Sequence, residues 1–189
     1  MKLFRGTRAL QARLLAFALL GAVLSLAQQP KPWRQTLDER LHYYGHRNWI
    51  VIADSAYPLQ SNPGIETILS TENQIETLRH VLDDIAKTPR LRPIVYTDRE
   101  LQFVPEQDAP GIDAYRQLLT GIFDLHFPNL KPNTIPHENI IHNLDEASHT
   151  FNVLIIKTNM ALPYTSVFIE LRAGYWSDEA ERRLREKIP

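Results

Sequence analysis

The sequence predicts an α/β fold, a single layered domain with a central β-sheet flanked by helices. Three short runs of apolar and β-branched residues, at 49–53, 93–97 and 153–157, are typical of buried strands. Segments with helical spacing lie before the first run, between the first two, and after the second. Strands and helices that alternate along a chain favour a layered α/β arrangement.

The first predicted elements are a helix and the strand after it. Thr36 and Glu39 fit a capping box, so a helix is expected over residues 36–44. Gly45 then ends the helix, and we expect it to adopt a left-handed conformation. The strand Trp49–Ala53 follows, and a polar loop continues through residue 64.

The remaining elements complete the predicted sheet. A second helix is expected from Thr71, where another capping box precedes apolar residues at helical spacing. The strand at 93–97 and a helix over 111–123 come next. We expect Val153–Lys157 to lie in the same sheet as the strand at 49–53. Residues 178–187 are highly charged, which indicates a solvated, helix-compatible terminus.

Residues 1–27 predict a signal peptide. Four basic residues precede an uncharged apolar run at 14–26, and small residues at 25 and 27 suit a signal peptidase. Cleavage would make Gln28 the first mature residue, so the protein is expected to be periplasmic or secreted, with one domain over 28–189. An uncleaved anchor is the alternative, although the apolar run is short for a membrane span.

Composition excludes several classes of partner. The net charge is −1 with acids and bases interspersed, which is not typical of a protein that binds nucleic acid or a membrane surface. No cysteine is present, so neither a disulfide nor a lipoprotein anchor can form. A small molecule or another protein is the expected partner.

His46 and Asp54 flank the first strand. An imidazole and a carboxylate fixed on one rigid strand are suited to proton transfer, because the backbone between them cannot drift. The alternative is that His46 follows a helix end and Asp54 begins a turn, which are common places for both residue types.

Other polar groups suggest further sites. Acids at 98, 100, 106 and 108 would suit a glycosidase, but charged loop residues are commonly just solvated. His137, His142 and His149 have no standard zinc spacing, and no metal is expected. Ser55 is not in the Gly-x-Ser-x-Gly setting of a hydrolase nucleophile.

Two stretches of the chain carry a family resemblance. The first is Gly-His at 45–46, followed by an apolar strand that ends at Asp54. The second is the strand Val153–Lys157, followed by a Pro-Tyr turn at 163–164 and a final strand. Together they resemble the ribose pyranase and fucose mutarotase family, in order over most of the mature chain and in outline through its middle. His142, fifteen residues before Lys157, matches the spacing of a sugar-binding histidine in that family.

The resemblance implies a fold, an activity and a set of site residues. It implies that family's α/β fold, a homo-oligomer, and a cofactor-independent isomerase that interconverts anomers or ring forms of a free monosaccharide. His46 would be the general acid/base, since a histidine near its ordinary pKa both accepts and donates protons at neutral pH. The residues implied to bind sugar are Asp54, His142, Tyr164 and Ser166.

Ser166 departs from the family pattern, in which the turn ends in Asn. A hydroxyl offers a single oxygen, whereas an amide donates and accepts at two atoms, so the preferred sugar is left open. The signal peptide is a second departure. A non-catalytic, exported sugar-binding or assembly protein with the same fold is therefore the alternative hypothesis.

Overall fold

A six-stranded mixed sheet forms the centre of the protein. The computed structural model describes residues 31–189 except residue 129, and Trp33–Pro189 form one compact unit. The predicted signal peptide lies outside the described residues. The strands are β1 (Trp49–Ala53), β2 (Ile65–Leu69), β3 (Leu91–Asp98), β4 (Asn133–Ile135), β5 (Val153–Lys157) and β6 (Val167–Ala173). The helices are α1 (Trp33–Tyr43), α2 (Gln74–Ala86), α3 (Ile112–His126), α4 (His137–Ser148) and α5 (Asp178–Arg185), with a 3₁₀ helix at Arg99–Phe103.

One strand runs against all the others. The sheet order is β2-β5-β1-β6-β3-β4, and β6 pairs antiparallel with both β1 and β3. The pairs β1–β5, β2–β5 and β3–β4 are parallel. The predicted α/β class is confirmed, and so is the placement of β1 and β5 in one sheet. The carboxyl ends of the five parallel strands therefore meet the amino end of β6 at one edge.

Helices cover the two faces of the sheet unequally. Side chains along β1 alternate between the faces, so Ile50 and Ile52 join one core cluster and Val51 joins the other. The larger cluster includes buried residues of α1, α2 and α3. The smaller one lies under Ile140 and Leu144 of α4. Helix α5 buries no residue, as expected for a solvated terminus.

Three local predictions need correction. Thr36 lies inside α1 and is buried, because the helix begins at Trp33, whose indole is part of the core. Asn73, not Thr71, caps α2, and its side chain accepts a hydrogen bond from the Glu76 amide. Gly45 has no positive φ; Arg47 takes the left-handed conformation instead, at φ 74°.

Gly64 allows a close approach between β2 and the end of α4. A Cβ at this position would lie 2.2 Å from the Ser148 carbonyl oxygen and 2.6 Å from that of Phe151. The Gly64 carbonyl also accepts a hydrogen bond from the Val153 amide at the start of β5. A residue without a side chain is therefore required where these segments meet. Across residues 31–189, apart from residue 129, no helix is both long and apolar enough to span a bilayer.

Candidate functional site

Polar side chains collect at the edge where the parallel strands end and β6 begins. Asp54 follows β1, and Asp98 is the last residue of β3. His137 follows β4 after one proline and opens α4. Tyr164 and Ser166 belong to the turn that enters β6. Carboxyl ends of strands in open α/β sheets are the usual location of ligand sites.

The Asp54 carboxylate is held in place on both oxygens. The Ser166 hydroxyl donates to Oδ2 at 2.8 Å, and the Ala56 amide donates to Oδ1 at 2.8 Å. The Asp54 amide in turn donates to the Ser166 hydroxyl oxygen at 3.1 Å. The antiparallel pairing of β1 and β6 places Ile52 opposite Val167, which brings the flanking residues together. The structure thus joins two of the predicted sugar-binding residues.

His137 is fixed at its backbone and at its ring. Its amide donates to both carboxylate oxygens of Glu100, at 3.2 and 3.0 Å, which supplies the helix cap that Pro136 cannot provide. Its ring Nδ1 lies 3.1 Å from Oδ1 of Asp98. The His137 side chain is 34% exposed, whereas that of Asp98 is only 1% exposed. A buried acid therefore holds a histidine that remains open to solvent.

Tyr164 also belongs to this group of polar residues. Its backbone has a conformation that non-glycine residues rarely adopt. Its φ is 57°, in the left-handed region, and its ring is half-exposed. The ring packs against that of His137 edge to face, with centroids 5.7 Å apart. Left-handed backbone costs roughly 1–2 kcal/mol outside glycine. Such strain is found preferentially where a side chain must be presented to a ligand.

A buried polar network supports the turn from behind. The Thr165 carbonyl accepts from the Tyr115 hydroxyl at 2.6 Å and from the Gln74 side-chain amide. The Oε1 atom of Gln74 lies 3.0 Å from the Thr158 hydroxyl oxygen. All four of these residues are buried. Gln74 therefore links the start of α2 to the turn and to the end of β5.

We expect Gln74→Leu to destabilise the fold. The substitution removes the hydrogen bonds that Gln74 makes with the Thr165 carbonyl and the Thr158 hydroxyl, each worth about 0.5–1.5 kcal/mol. Both groups keep another partner, the Tyr115 hydroxyl and the Ala53 carbonyl. Urea unfolding should show a lower midpoint with an unchanged slope. The matched change at exposed Gln102 should alter stability by less than about 0.5 kcal/mol. Equal stability of the two variants would contradict the role given to Gln74.

Burial and neighbouring charge raise two pKa values at this edge. The pKa of Asp98 rises to about 6, mainly through desolvation, against an opposing contribution from the hydrogen bond with His137. The pKa of Tyr57 is raised by burial and then by the carboxylates of Asp98 and Asp54. Among the described residues, neither the Tyr57 hydroxyl nor Oδ2 of Asp98 has a hydrogen-bond partner. Perturbed acids of this kind are concentrated at functional sites.

His46 lies at the opposite end of the sheet. It precedes β1, whereas Asp54 follows it, and eight residues along a strand span roughly 25 Å. Within one chain, Asp54 therefore cannot orient the His46 imidazole. His46 is exposed and lies 3.2 Å from Arg47 Nε. Its pKa is lowered, first by desolvation and then by the guanidinium groups of Arg172 and Arg47.

His142 also lies away from this edge group. It is exposed on α4, five residues after His137, which turns it about 140° around the helix from that residue. The sequence suggested His137 only as a metal ligand, and Asp98 only as a glycosidase carboxylate or a solvated acid. The one signal for Asp98 was its position directly after a predicted strand, as for Asp54. Within the described part of the chain, no three His, Asp or Glu side chains converge as a metal site.

Comparison with known proteins bears on the fold. No protein-family model matches the chain, and no curated protein matches its sequence significantly. Among solved structures, FucU from Bifidobacterium longum aligns with a TM-score of 0.52 at 14% identity, over 73% of this chain and 92% of its own. RbsD from Bacillus subtilis, complexed with D-ribose, gives 0.49 at 16% identity over 73% and 92%.

A further solved structure is similar at the same level. The fucose mutarotase from Streptococcus pneumoniae, in complex with L-fucose, has a TM-score of 0.48 at 20% identity, over 78% of this chain and 98% of its own. At sequence identities this low, structural similarity shows a shared fold and not a shared activity. The resemblance inferred from the sequence is confirmed at that level: the chain has the α/β fold of FucU.

Proposed function

We propose that this protein is a monosaccharide mutarotase or pyranase, which interconverts anomers or ring forms of a free sugar. The observation that carries the proposal is the convergence of Asp54, His137, Tyr164 and Ser166 at one edge of the sheet. Small-ligand sites combine a few convergent polar groups with perturbed acids, and both features occur here. The FucU-like fold supports the same activity.

The chemistry requires one group that moves protons. Ring opening takes a proton from the anomeric hydroxyl and gives one to the ring oxygen, and closure on the other face reverses both transfers. His137 suits this role because Nδ1 faces Asp98, while Nε2 has no hydrogen-bond partner among the described residues. Asp54 and Tyr164 would hold sugar hydroxyls, and Ser166 would keep Asp54 in position.

His46 remains the acid/base residue that the family resemblance implies. Its distance from Asp54 means that it could act at this edge only as a residue of a second copy of the chain. The homo-oligomer implied by the resemblance would supply such a copy. A second copy's His46 would then share the two proton transfers with His137, and substitutions at each position test whether both are needed.

Exchange NMR on free aldoses tests the proposal. D-ribose and L-fucose are the first probes, with D-glucose for comparison, and saturation transfer between anomer resonances gives the exchange rate. We expect at least one sugar to exchange faster with the protein than in buffer. Binding of an aldose, detected by ligand line broadening, with an exchange rate at the buffer value would instead support the non-catalytic sugar-binding alternative.

A further inference from the structure

The role of Asp98 is not explained by the fold. Its carboxylate is buried at the end of β3, with one oxygen on the His137 ring and the other without a partner among the described residues. No arginine or lysine forms an ion pair with it among those residues; its one such contact is His137. A buried carboxylate without a strong cationic partner is costly, so it is not retained for stability.

We propose that Asp98 is the positioning residue of His137: it accepts the Nδ1 proton and thereby leaves Nε2 as the proton acceptor that faces the sugar. This inference rests on the proposed function, which gives His137 its substrate. A ring nitrogen that donates to a carboxylate fixes the tautomer at the other nitrogen. The same arrangement orients histidines in hydrolase active sites and in metal sites.

The surrounding contacts leave the ring little freedom to turn away. Glu100 holds the His137 amide, Asp98 holds Nδ1, and the Tyr164 ring packs against the imidazole at its side. Catalytic groups work only when held within about 0.5 Å of the productive position. Asp98 is itself fixed, because it ends a strand that is paired on both sides at Thr97, and it pairs with Ile135 of β4.

Several titratable groups surround the Asp98 carboxyl. The titratable groups that face it from the surrounding segments are His137, Glu100, Asp54, Tyr57 and Tyr115. Its pKa is raised to about 6, mainly through desolvation. Because the folded state favours the protonated form of Asp98, this side chain makes its full contribution to the stability of the fold below about pH 4. That contribution is lost as pH rises through about 6.

The Asp98→Asn substitution separates a positioning role from a merely structural one. We expect the exchange kcat to fall at least about a hundredfold with KM changed less than threefold, because an amide can donate to Nδ1 and favour the wrong tautomer. The urea midpoint should rise at pH 7 and be unchanged at pH 4. A structural ion pair predicts the reverse, a midpoint that falls at pH 7.

Nitrogen-15 NMR of the imidazole reads the tautomer without any activity. The His137 resonances, assigned by their loss in His137→Asn, should show an Nδ1–H ring in the wild type at pH 8 and an Nε2–H ring in Asp98→Asn. Asp84→Asn, at a surface ion pair with Lys87, is the matched control and should leave the tautomer unchanged.

The outcomes distinguish this inference from the proposed function. An Nε2–H ring in the wild type, or a kcat unchanged in Asp98→Asn, would overturn the role of Asp98. If the wild-type protein accelerates no sugar exchange, the proposed function fails. The tautomer shift in Asp98→Asn would then still support Asp98 as the residue that orients His137.

Discussion

Replacing His137 by Asn should lower sugar exchange by about a hundredfold to ten-thousandfold, the usual contribution of a general acid/base group. Asparagine keeps hydrogen bonding but cannot move a proton at neutral pH, so sugar binding should persist while turnover is lost. Exchange NMR at saturating sugar measures the loss of turnover, and titration measures the binding. His149→Asn, at the exposed end of the same helix, is the matched control and should keep wild-type rates.

His46→Asn tells the two proton-transfer arrangements apart. If a second copy supplies His46, this variant loses exchange as well. Mixing it with His137→Asn and allowing subunits to exchange should then restore part of the rate, because some sites would have both intact residues. If His46→Asn keeps the full rate, His46 has no part in the chemistry. Full activity of His137→Asn would remove that residue from the proposed mechanism.

Phe168→Ala should destabilise the fold by about 3–5 kcal/mol, as expected for truncating a fully buried aromatic residue. Phe168 is completely buried in the smaller core cluster, two residues after Ser166, and its ring lies 6.3 Å from that of Tyr57. Urea unfolding gives the change in the free energy of unfolding.

Two other substitutions serve as controls for Phe168→Ala. Phe168→Leu keeps most of the apolar volume and should cost clearly less than the alanine change. Phe103→Ala, at a side chain that is 74% exposed, should stay within about 0.5 kcal/mol of the wild type. A loss below about 1 kcal/mol for Phe168→Ala would mean that the smaller cluster is not a packed core.

The fold was predictable where the pattern of side chains determines the structure locally. Strands β1 and β5 are continuous apolar runs because both of their faces are buried. Edge strands β2 and β4 carry no such run, and β4 has only three residues. Helix α4 receives no cap from the side chain of Pro136. Its first amide instead donates to the Glu100 carboxylate, 37 residues earlier in the chain, and no local pattern indicates that contact.

The candidate site was predictable only in part, for a related reason. Asp54, Tyr164 and Ser166 adjoin strands that the sequence indicates, so their meeting follows from the pairing of β1 with β6. The contact between Asp98 and His137 depends on the pairing of β3 with β4, which no local pattern predicts. The resemblance drew attention to His46. The strand β1 lies between His46 and Asp54, however, so these two residues are at opposite ends of the sheet.

The antiparallel strand β6 also determines when this protein can fold. It lies between β1 and β3, so strands β2, β5 and β1 join β3 and β4 only through it. Because β6 follows the other five strands in sequence, the two halves of the sheet cannot join through backbone hydrogen bonds until residues 167–173 have been synthesised. Until then, β1 and β3 both present unpaired strand edges to which other chains can add. A chaperone that covers these edges during synthesis should therefore raise the yield of folded protein.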